Sequence, residues 1–175
     1  MKFLKYSGTI GVVIYWLFVF WSIFHNDWFD FLEYPLSALG TFYATYNSVY
    51  NFGVCLTAAL FFLFSIYLIY SSKNKLQTIG GAYISISSLF LLFIGLFPDG
   101  TKQHNFVAVY FFFQFFLGMA VFGIGSESKF RRYFFPTVFA LAFLLTPLSW
   151  PSMAVLETYE LSLILILTLS VAIKG

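Results

Sequence analysis

The most constraining feature of this sequence is a series of apolar runs, each roughly 20 residues long, separated by short polar breaks. A helix of that length crosses a bilayer, and it satisfies its own backbone hydrogen bonds in lipid. The pattern therefore predicts an all-α, polytopic transmembrane bundle that forms one domain over residues 1–175. The six predicted spans lie near residues 7–25, 47–70, 77–97, 105–125, 133–150 and 155–173.

The composition agrees with a lipid environment. Hydrophobic residues make up 61% of the chain and charged residues only 9%, against about 25% charged residues in an ordinary soluble domain. A soluble chain of this length has too little interior to hide so much apolar surface. Cys55 is the single cysteine, so no disulfide forms within the chain, and the net charge of +2 gives no support to nucleic-acid binding.

The basic residues predict the orientation of the bundle. With six spans, eight of the nine fall in the N-terminus, the second and fourth loops and the C-terminus, and Lys102 alone falls on the other side. Short loops rich in Lys and Arg face the cytoplasm, so we expect both termini to be cytoplasmic and the chain to lie in the cell membrane. The eight residues are Lys2, Lys5, Lys73, Lys75, Lys129, Arg131, Arg132 and Lys174.

The acidic residues segregate to the opposite, outer side. The outer group comprises Asp27, Asp30, Glu33, Asp99, Glu157 and Glu160, together with both histidines, His25 and His104. Within the first outer loop, residues 27–40 read DWFDFLEYPLSALG, with apolar side chains at helix-like spacing. This spacing predicts a short interfacial helix or a re-entrant turn that ends at Gly40 in a left-handed cap and covers the outer end of the bundle. The alternative is a plain amphipathic connector resting on the lipid headgroups.

Three outer residues, Ser37, Asp99 and His104, are candidates for catalysis, with His104 as a general base. The alternative for Asp99 is capping of the helix that follows it, and for His104 a purely structural role. His25 and His104 are the candidate metal ligands. Two histidines exclude a three-histidine zinc site, while zinc held with a carboxylate and haem held between the two histidines stay open. No cofactor is predicted.

Several polar side chains are expected at membrane depth, where they point into the bundle. These are Asn51, Ser85, Ser88 and Gln114. We expect Gln114 to bond the serines of the third span, and the glycines at 80, 81, 95 and 118 to allow close packing of helices. No charged residue is expected at the centre of a span, which weighs against an ion-coupled transporter.

Short motifs in the first four spans resemble a known family. They are an NxWF-like loop at residues 26–29, LSxLG at 36–40, Asn47, Asn51 and Gly53 at the entry to the second span, and GLFPDGTxxH at 95–104. In these motifs the chain resembles the prokaryotic, largely archaeal membrane proteins called domain of unknown function 998. That family looks distantly similar to the Frag/DRAM/Sfk membrane proteins. The resemblance implies a fold and a topology and no activity.

The chain departs from the family pattern at one position. Ala38 stands where the family often has an aspartate, between Ser37 and Leu39, which weakens a catalytic interpretation. We therefore expect a non-enzymatic scaffold, lipid-interacting protein or accessory subunit of a membrane complex. Its partners would be membrane lipids and other membrane subunits. The first alternative is an interfacial lipid hydrolase or transferase that uses the outer Ser, Asp and His residues, and the second is a small transporter.

Overall fold

The protein is described by a computed structural model that covers residues 2–174 and the side chains of residues 2–173, so the side chain of Lys174 lies outside the described part. Within these limits the chain forms six long helices and no strand. The long helices are α1 (Ser7–Phe24), α2 (Asn47–Tyr70), α3 (Lys75–Leu96), α4 (His104–Ile124), α5 (Lys129–Leu145) and α6 (Met153–Lys174). Five of them, all except α5, are long and apolar enough to cross a membrane. The protein is thus a helical, multi-pass membrane bundle.

Each helix packs against the next in the chain, and α6 also contacts α1 and α4. The loops α1–α2, α3–α4 and α5–α6 meet at one end of the bundle, which we call the acidic end. The opposite end, formed by a short 3₁₀ turn at Lys2–Tyr6 and the loops α2–α3 and α4–α5, is called the basic end. The side of the membrane that each end faces stays a prediction from the basic residues.

Helix α5 differs from the predicted fifth span, residues 133–150, because it begins and ends earlier. It has 17 residues, near the lower limit for a membrane span. The basic residues at its start are accommodated in the helix, where the prediction had treated them as a loop. The helix stops before Pro147, since proline has no backbone N–H with which to continue the helical hydrogen bonds.

Two hydrogen bonds fix the direction of α5 along α6. Near the basic end, Arg131 Nη2 donates to the Ser170 carbonyl at 3.5 Å. Toward the acidic end, Thr146 Oγ1 donates to Glu160 Oε1 at 3.2 Å. The two helices therefore run antiparallel, and α5 carries the chain from the basic end to the acidic end.

The glycines predicted at helix contacts lie there, and the prediction of close packing is confirmed. A Cβ atom added to Gly80 of α3 would lie 2.6 Å from the Gly118 carbonyl oxygen and 2.5 Å from the Phe122 nitrogen, both on α4. Gly81 and Gly95 are similarly tight against α2. Small residues let the backbones approach in this way in membrane bundles.

The polar residues of α3 bond in a different pattern from the one expected. Ser85 Oγ donates to Ser65 Oγ of α2 at 2.8 Å, and Ser88 bonds within its own helix. The bond from α3 to α4 is made by Ser87, which donates to a backbone carbonyl at 2.9 Å. Gln114 Oε1 is buried and has no hydrogen-bond partner in the described residues, so the expected bond to these serines is not formed.

The first loop contains a short 3₁₀ helix, Leu36–Gly40, which we call the plug segment. All five of its residues are buried, and it contacts α1, α2 and α6, so it sits inside the bundle. The predicted left-handed cap at Gly40 is wrong, since the positive φ values in residues 2–174 occur at Tyr46 and Gly100. Gly40 is needed for space, because a Cβ atom there would collide with Asn51 of α2.

Candidate functional site

A cavity lies beneath the plug segment, between α1, α2, α3, α4 and α6. Its volume is about 40 Å³, which is room for a few water molecules. Most of its wall is apolar and includes Val12, Val54, Phe61, Leu91, Phe111 and Leu161. The polar lining residues are Tyr15, Ser37, Tyr50, Thr57, His104 and Glu157. An apolar cavity with a few convergent polar groups is the usual form of a ligand site.

Two buried tyrosines on neighbouring helices form a pair in this cavity. Tyr15 of α1 and Tyr50 of α2 share a hydrogen bond of 3.0 Å between their hydroxyl oxygens. The pair has two hydroxyl hydrogens and uses one of them in this bond. The second hydrogen is therefore available to an acceptor within the cavity.

Glu157 brings a carboxyl group into the same space. Its Oε2 accepts a 2.6 Å hydrogen bond from the Leu36 backbone N–H of the plug segment. No donor bonds Oε1 in the part of the chain that the structure describes. A carboxyl group in a membrane bundle is costly to bury, and such residues commonly mark a functional site.

Glu157 and Glu160, which were predicted on the outer side, lie in the first turns of α6 at the acidic end. They are the fifth and eighth residues of α6, and Glu160 is only 7% exposed. At a rise of about 1.5 Å per residue, Glu160 is about 10 Å along the helix from its first residue. Both residues fall within the predicted sixth span, residues 155–173, and the Glu157 carboxyl group bonds the plug segment. Both residues lie on the acidic-end side of the centre of this 22-residue helix.

Ser37 and His104, which the sequence analysis proposed as candidates, line this same cavity. His104 is the first residue of α4, and its Nδ1 lies 2.9 Å from the Phe97 carbonyl oxygen. A carbonyl oxygen only accepts hydrogen bonds, so Nδ1 carries the hydrogen and Nε2 of the neutral ring holds a lone pair. In this tautomer the side chain of His104 offers an acceptor to the cavity that Ser37 also lines.

The third candidate, Asp99, is not part of the cavity wall. Its Oδ1 accepts a 2.9 Å bond from the Gly100 N–H in the α3–α4 turn. The N-cap position of α4 belongs to Gln103, so the capping role considered for Asp99 is wrong. Asp99 stabilises the turn in which Gly100 has its positive φ.

The candidate metal ligands occupy different surroundings. His25 bonds the Trp21 carbonyl at 2.8 Å, and its ring lies 4.0 Å from the Trp21 ring, outside the cavity that His104 lines. No group of three His, Cys, Asp or Glu side chains suited to a metal ion occurs among the described residues. Zinc or haem binding by the two histidines, which the sequence left open without predicting it, stays open.

Asn51, expected as a buried polar residue, holds the plug segment from the side of α2. Its Nδ2 donates to the Gly40 carbonyl at 3.0 Å. Together with the bond from Leu36 to Glu157, this fixes both ends of the plug segment. The roof of the cavity is therefore attached to α2 and to α6.

Sequence reasoning missed the tyrosine pair and Glu157. Glu157 and Glu160 are three residues apart, so they lie on one face of a helix, and this spacing was a usable signal for a polar face inside α6. No comparable sequence signal marked the tyrosine pair, because Tyr15 and Tyr50 are two of twelve tyrosines in the chain and lie 35 positions apart.

Searches of curated proteins and of solved structures give no match. A family model described as a protein of unknown function matches residues 9–174. This range reaches all six long helices and includes every polar residue of the cavity. The chain therefore belongs to the DUF998 family.

Proposed function

We propose that this protein is a non-enzymatic membrane protein whose cavity binds the polar head of a lipid-like molecule. The observation that carries the proposal is the convergence of Glu157, His104 and the tyrosine pair within an otherwise apolar cavity. An amphiphile is favoured because most of the cavity wall is apolar and a polar head can bond its few polar groups. A protein that binds a membrane amphiphile in this cavity is a lipid-interacting protein.

The unoccupied hydrogen-bonding positions select the chemistry of the ligand. Glu157 Oε1 and His104 Nε2 are acceptors, and the Ser37 hydroxyl both donates and accepts. A head group that donates hydrogen bonds, such as an amine or a hydroxyl, complements this set. The volume of about 40 Å³ favours a small head group over a sugar or a nucleotide.

The outer surface of the bundle suits contact with lipids and with other membrane subunits. Large apolar side chains are exposed on several helices, among them Leu17 and Phe20 of α1 and Phe52 of α2, at 60–62% exposure. In a membrane these side chains face acyl chains or neighbouring helices. A role as an accessory subunit is compatible with ligand binding in the cavity.

The test uses three probes with the same chain and different heads: dodecylamine, dodecanol and dodecanoic acid. The protein is reconstituted in phosphatidylcholine nanodiscs, and the midpoint of its thermal unfolding is followed with each probe. We expect dodecylamine and dodecanol to raise the midpoint and dodecanoic acid to have little effect, because its ionised head meets the Glu157 carboxyl group. Glu157→Gln keeps the size of the side chain. Among the three probes, it should most reduce the rise in unfolding midpoint that dodecylamine causes.

Glu160→Gln is the matched control. It removes a buried carboxyl group one turn further along α6, on a residue that bonds Thr146 and does not line the cavity. Equal loss of the dodecylamine shift in both variants would contradict the proposal. So would equal stabilisation by all three probes.

The alternative function is a lipid hydrolase or transferase, and it is favoured by the presence of Ser37 and His104 in one cavity. In that case Ser37 Oγ attacks the ester carbonyl carbon and His104 Nε2 takes its proton. The ester C–O bond breaks, the alcohol leaves with that proton, and water then hydrolyses the acyl-serine to release the fatty acid. Release of fatty acid from a phospholipid or acylglycerol, abolished by Ser37→Ala and by His104→Gln, would establish it. No release by the purified protein leaves the binding function as the better account.

A further inference from the structure

A second and larger pocket lies at the basic end, away from the cavity described above. Its volume is about 380 Å³, and it is enclosed by the basic-end parts of all the long helices except α1. Its floor is apolar, formed by Tyr67, Phe122 and Val171. The polar and charged lining residues are Ser71, Lys73, Gln77, Ser126, Glu127, Ser128 and Arg131.

Arg131 is the half-buried cation of this pocket, and its hydrogen bonding is incomplete. Its Nη2 lies 3.5 Å from the Ser170 carbonyl oxygen, at the limit of a hydrogen bond. Its Nε is buried and has no partner in the described part of the chain. A buried donor of a charged group without a partner costs free energy. The guanidinium is therefore prepared to bond an acceptor that enters the pocket.

Lys73 is the second cation of the pocket wall. Its Nζ forms a 2.7 Å ion pair with Glu127, and the two side chains are 65% and 72% exposed. The hydrogen bond and charge of Lys73 lower the pKa of Glu127, so this carboxyl group is ionised at neutral pH. An exposed pair of this kind contributes little to stability. Lys73 can therefore leave Glu127 for a stronger anion at small cost.

The neighbouring cation Arg132 is already engaged, since its Nε and Nη2 both donate to the Ser126 carbonyl. That leaves Lys73 and Arg131 as the cations on the pocket wall, with Glu127 as the opposing charge. The serine hydroxyls at 126 and 128 add neutral donors around the same space. Basic pockets between helices near the cytoplasmic surface are typical sites for phosphate-bearing head groups.

We propose that the pocket at the basic end binds a phosphate group through Arg131 and Lys73. The phosphate belongs either to the head of an anionic lipid or to a soluble phosphate compound, since both present the same oxygen acceptors. Arg131 supplies directed guanidinium donors and Lys73 supplies a mobile charge. The site is separate from the amphiphile cavity, so either one can be correct without the other.

Two measurements separate the sources of the phosphate. Inorganic phosphate is titrated calorimetrically into the protein in phosphatidylcholine nanodiscs. In parallel, the midpoint of thermal unfolding is compared between nanodiscs of phosphatidylcholine alone and nanodiscs that also contain phosphatidic acid. Binding of inorganic phosphate identifies a soluble ligand, and stabilisation by phosphatidic acid without phosphate binding identifies a lipid. If inorganic phosphate does not bind and phosphatidic acid does not stabilise the protein, the proposal is overturned.

Charge-removing variants test the assigned residues. Arg131→Gln should weaken binding by about 10-fold or more, because bonds to a charged group are lost. Its control is Lys129→Gln, which removes an exposed charge two residues away that does not line the pocket. Lys75→Gln serves as the same control for Lys73→Gln. Equal weakening by Arg131→Gln and Lys129→Gln would show only general attraction and overturn the proposal.

Glu127→Gln keeps the test decisive if Arg131→Gln does not fold. Removing this carboxylate releases Lys73 and removes a repulsive charge, so phosphate should bind more tightly. Lys73→Gln should bind it more weakly. The two exposed substitutions are therefore expected to act in opposite directions, and a change in the same direction for both, or no change, would overturn the proposal.

Discussion

At the scale of single residues, the contact between α3 and α4 depends on the absence of a side chain. Gly80 faces backbone atoms of α4 and has no flexible neighbour that can move aside. A methyl group at this position therefore pushes α3 and α4 apart. The close contact is a steric requirement that hydropathy alone does not express.

Gly80→Ala is expected to lower the midpoint of thermal unfolding in mild detergent. The added methyl group overpacks the helix contact, which typically costs about 1–3 kcal/mol and exceeds the gain of up to about 1 kcal/mol in helix propensity. Ala82→Leu, on an exposed position of the same helix, is the control and should leave the midpoint almost unchanged. A Gly80→Ala protein as stable as the original would contradict the close contact.

At the scale of elements, the plug segment links the first loop to the last helix. It is held by Asn51 from α2 and by Glu157 from α6. Its burial makes the first loop a structural part of the bundle and gives the cavity a roof. A loop with this role is expected to be protected from solvent although it contains no regular α-helix.

The exchange of the Leu36 backbone amide hydrogen measures that protection. Glu157→Gln keeps a side-chain carbonyl oxygen that can accept the Leu36 N–H, whereas Glu157→Leu has no acceptor. We expect exchange at Leu36 to become about 10-fold faster or more in Glu157→Leu, since a buried N–H that loses its acceptor costs about 1–3 kcal/mol. The exchange should change less in Glu157→Gln.

The Leu32 amide is the internal control for this measurement. It bonds Asp30 on the exposed part of the same loop and should exchange at the same rate in all three proteins. Faster exchange at Leu32 as well would indicate general loosening of the loop. Unchanged exchange at Leu36 in Glu157→Leu would contradict the role of the carboxyl group.

The helices were predictable from the sequence because their limits are set locally. The polar residues at 71–74 and the turn at 98–103 interrupt apolar runs, and these breaks do not depend on how the helices pack. The plug segment was not predictable in the same way. Its residues are compatible with an interfacial helix, a re-entrant turn or a plain connector, and only contacts with Asn51 and Glu157, distant in sequence, place them inside the bundle.

At the scale of the whole molecule, the bundle has a basic end and an acidic end. The basic residues predicted this division because each loop carries its own charges. The cavity was predicted only in part: Ser37 and His104 were found by residue type, but the tyrosine pair and Glu157 join them through helix packing. The sequence predicts the end of the bundle at which a residue lies. Only the packing of the helices decides which of these residues come into contact.

The orientation in the membrane can be measured with introduced cysteines, since Cys55 is the single native cysteine and can be replaced by alanine. Lys75→Cys reports the basic end and Glu33→Cys reports the acidic end, and both native side chains are exposed. A membrane-impermeant maleimide added to intact cells should label Glu33→Cys and leave Lys75→Cys unlabelled. The reverse pattern would contradict the positive-inside prediction.

The bond between Leu36 and Glu157 joins residues 121 positions apart, and this separation has a consequence for biosynthesis. The ribosome delivers the first loop long before α6, so the plug segment has no carboxyl partner while the first five helices enter the membrane. Leu36 and Leu39, which are fully buried in the finished protein, are then incompletely covered. A nascent chain is thus distinguishable from a mature one by this exposed apolar stretch until the last helix arrives.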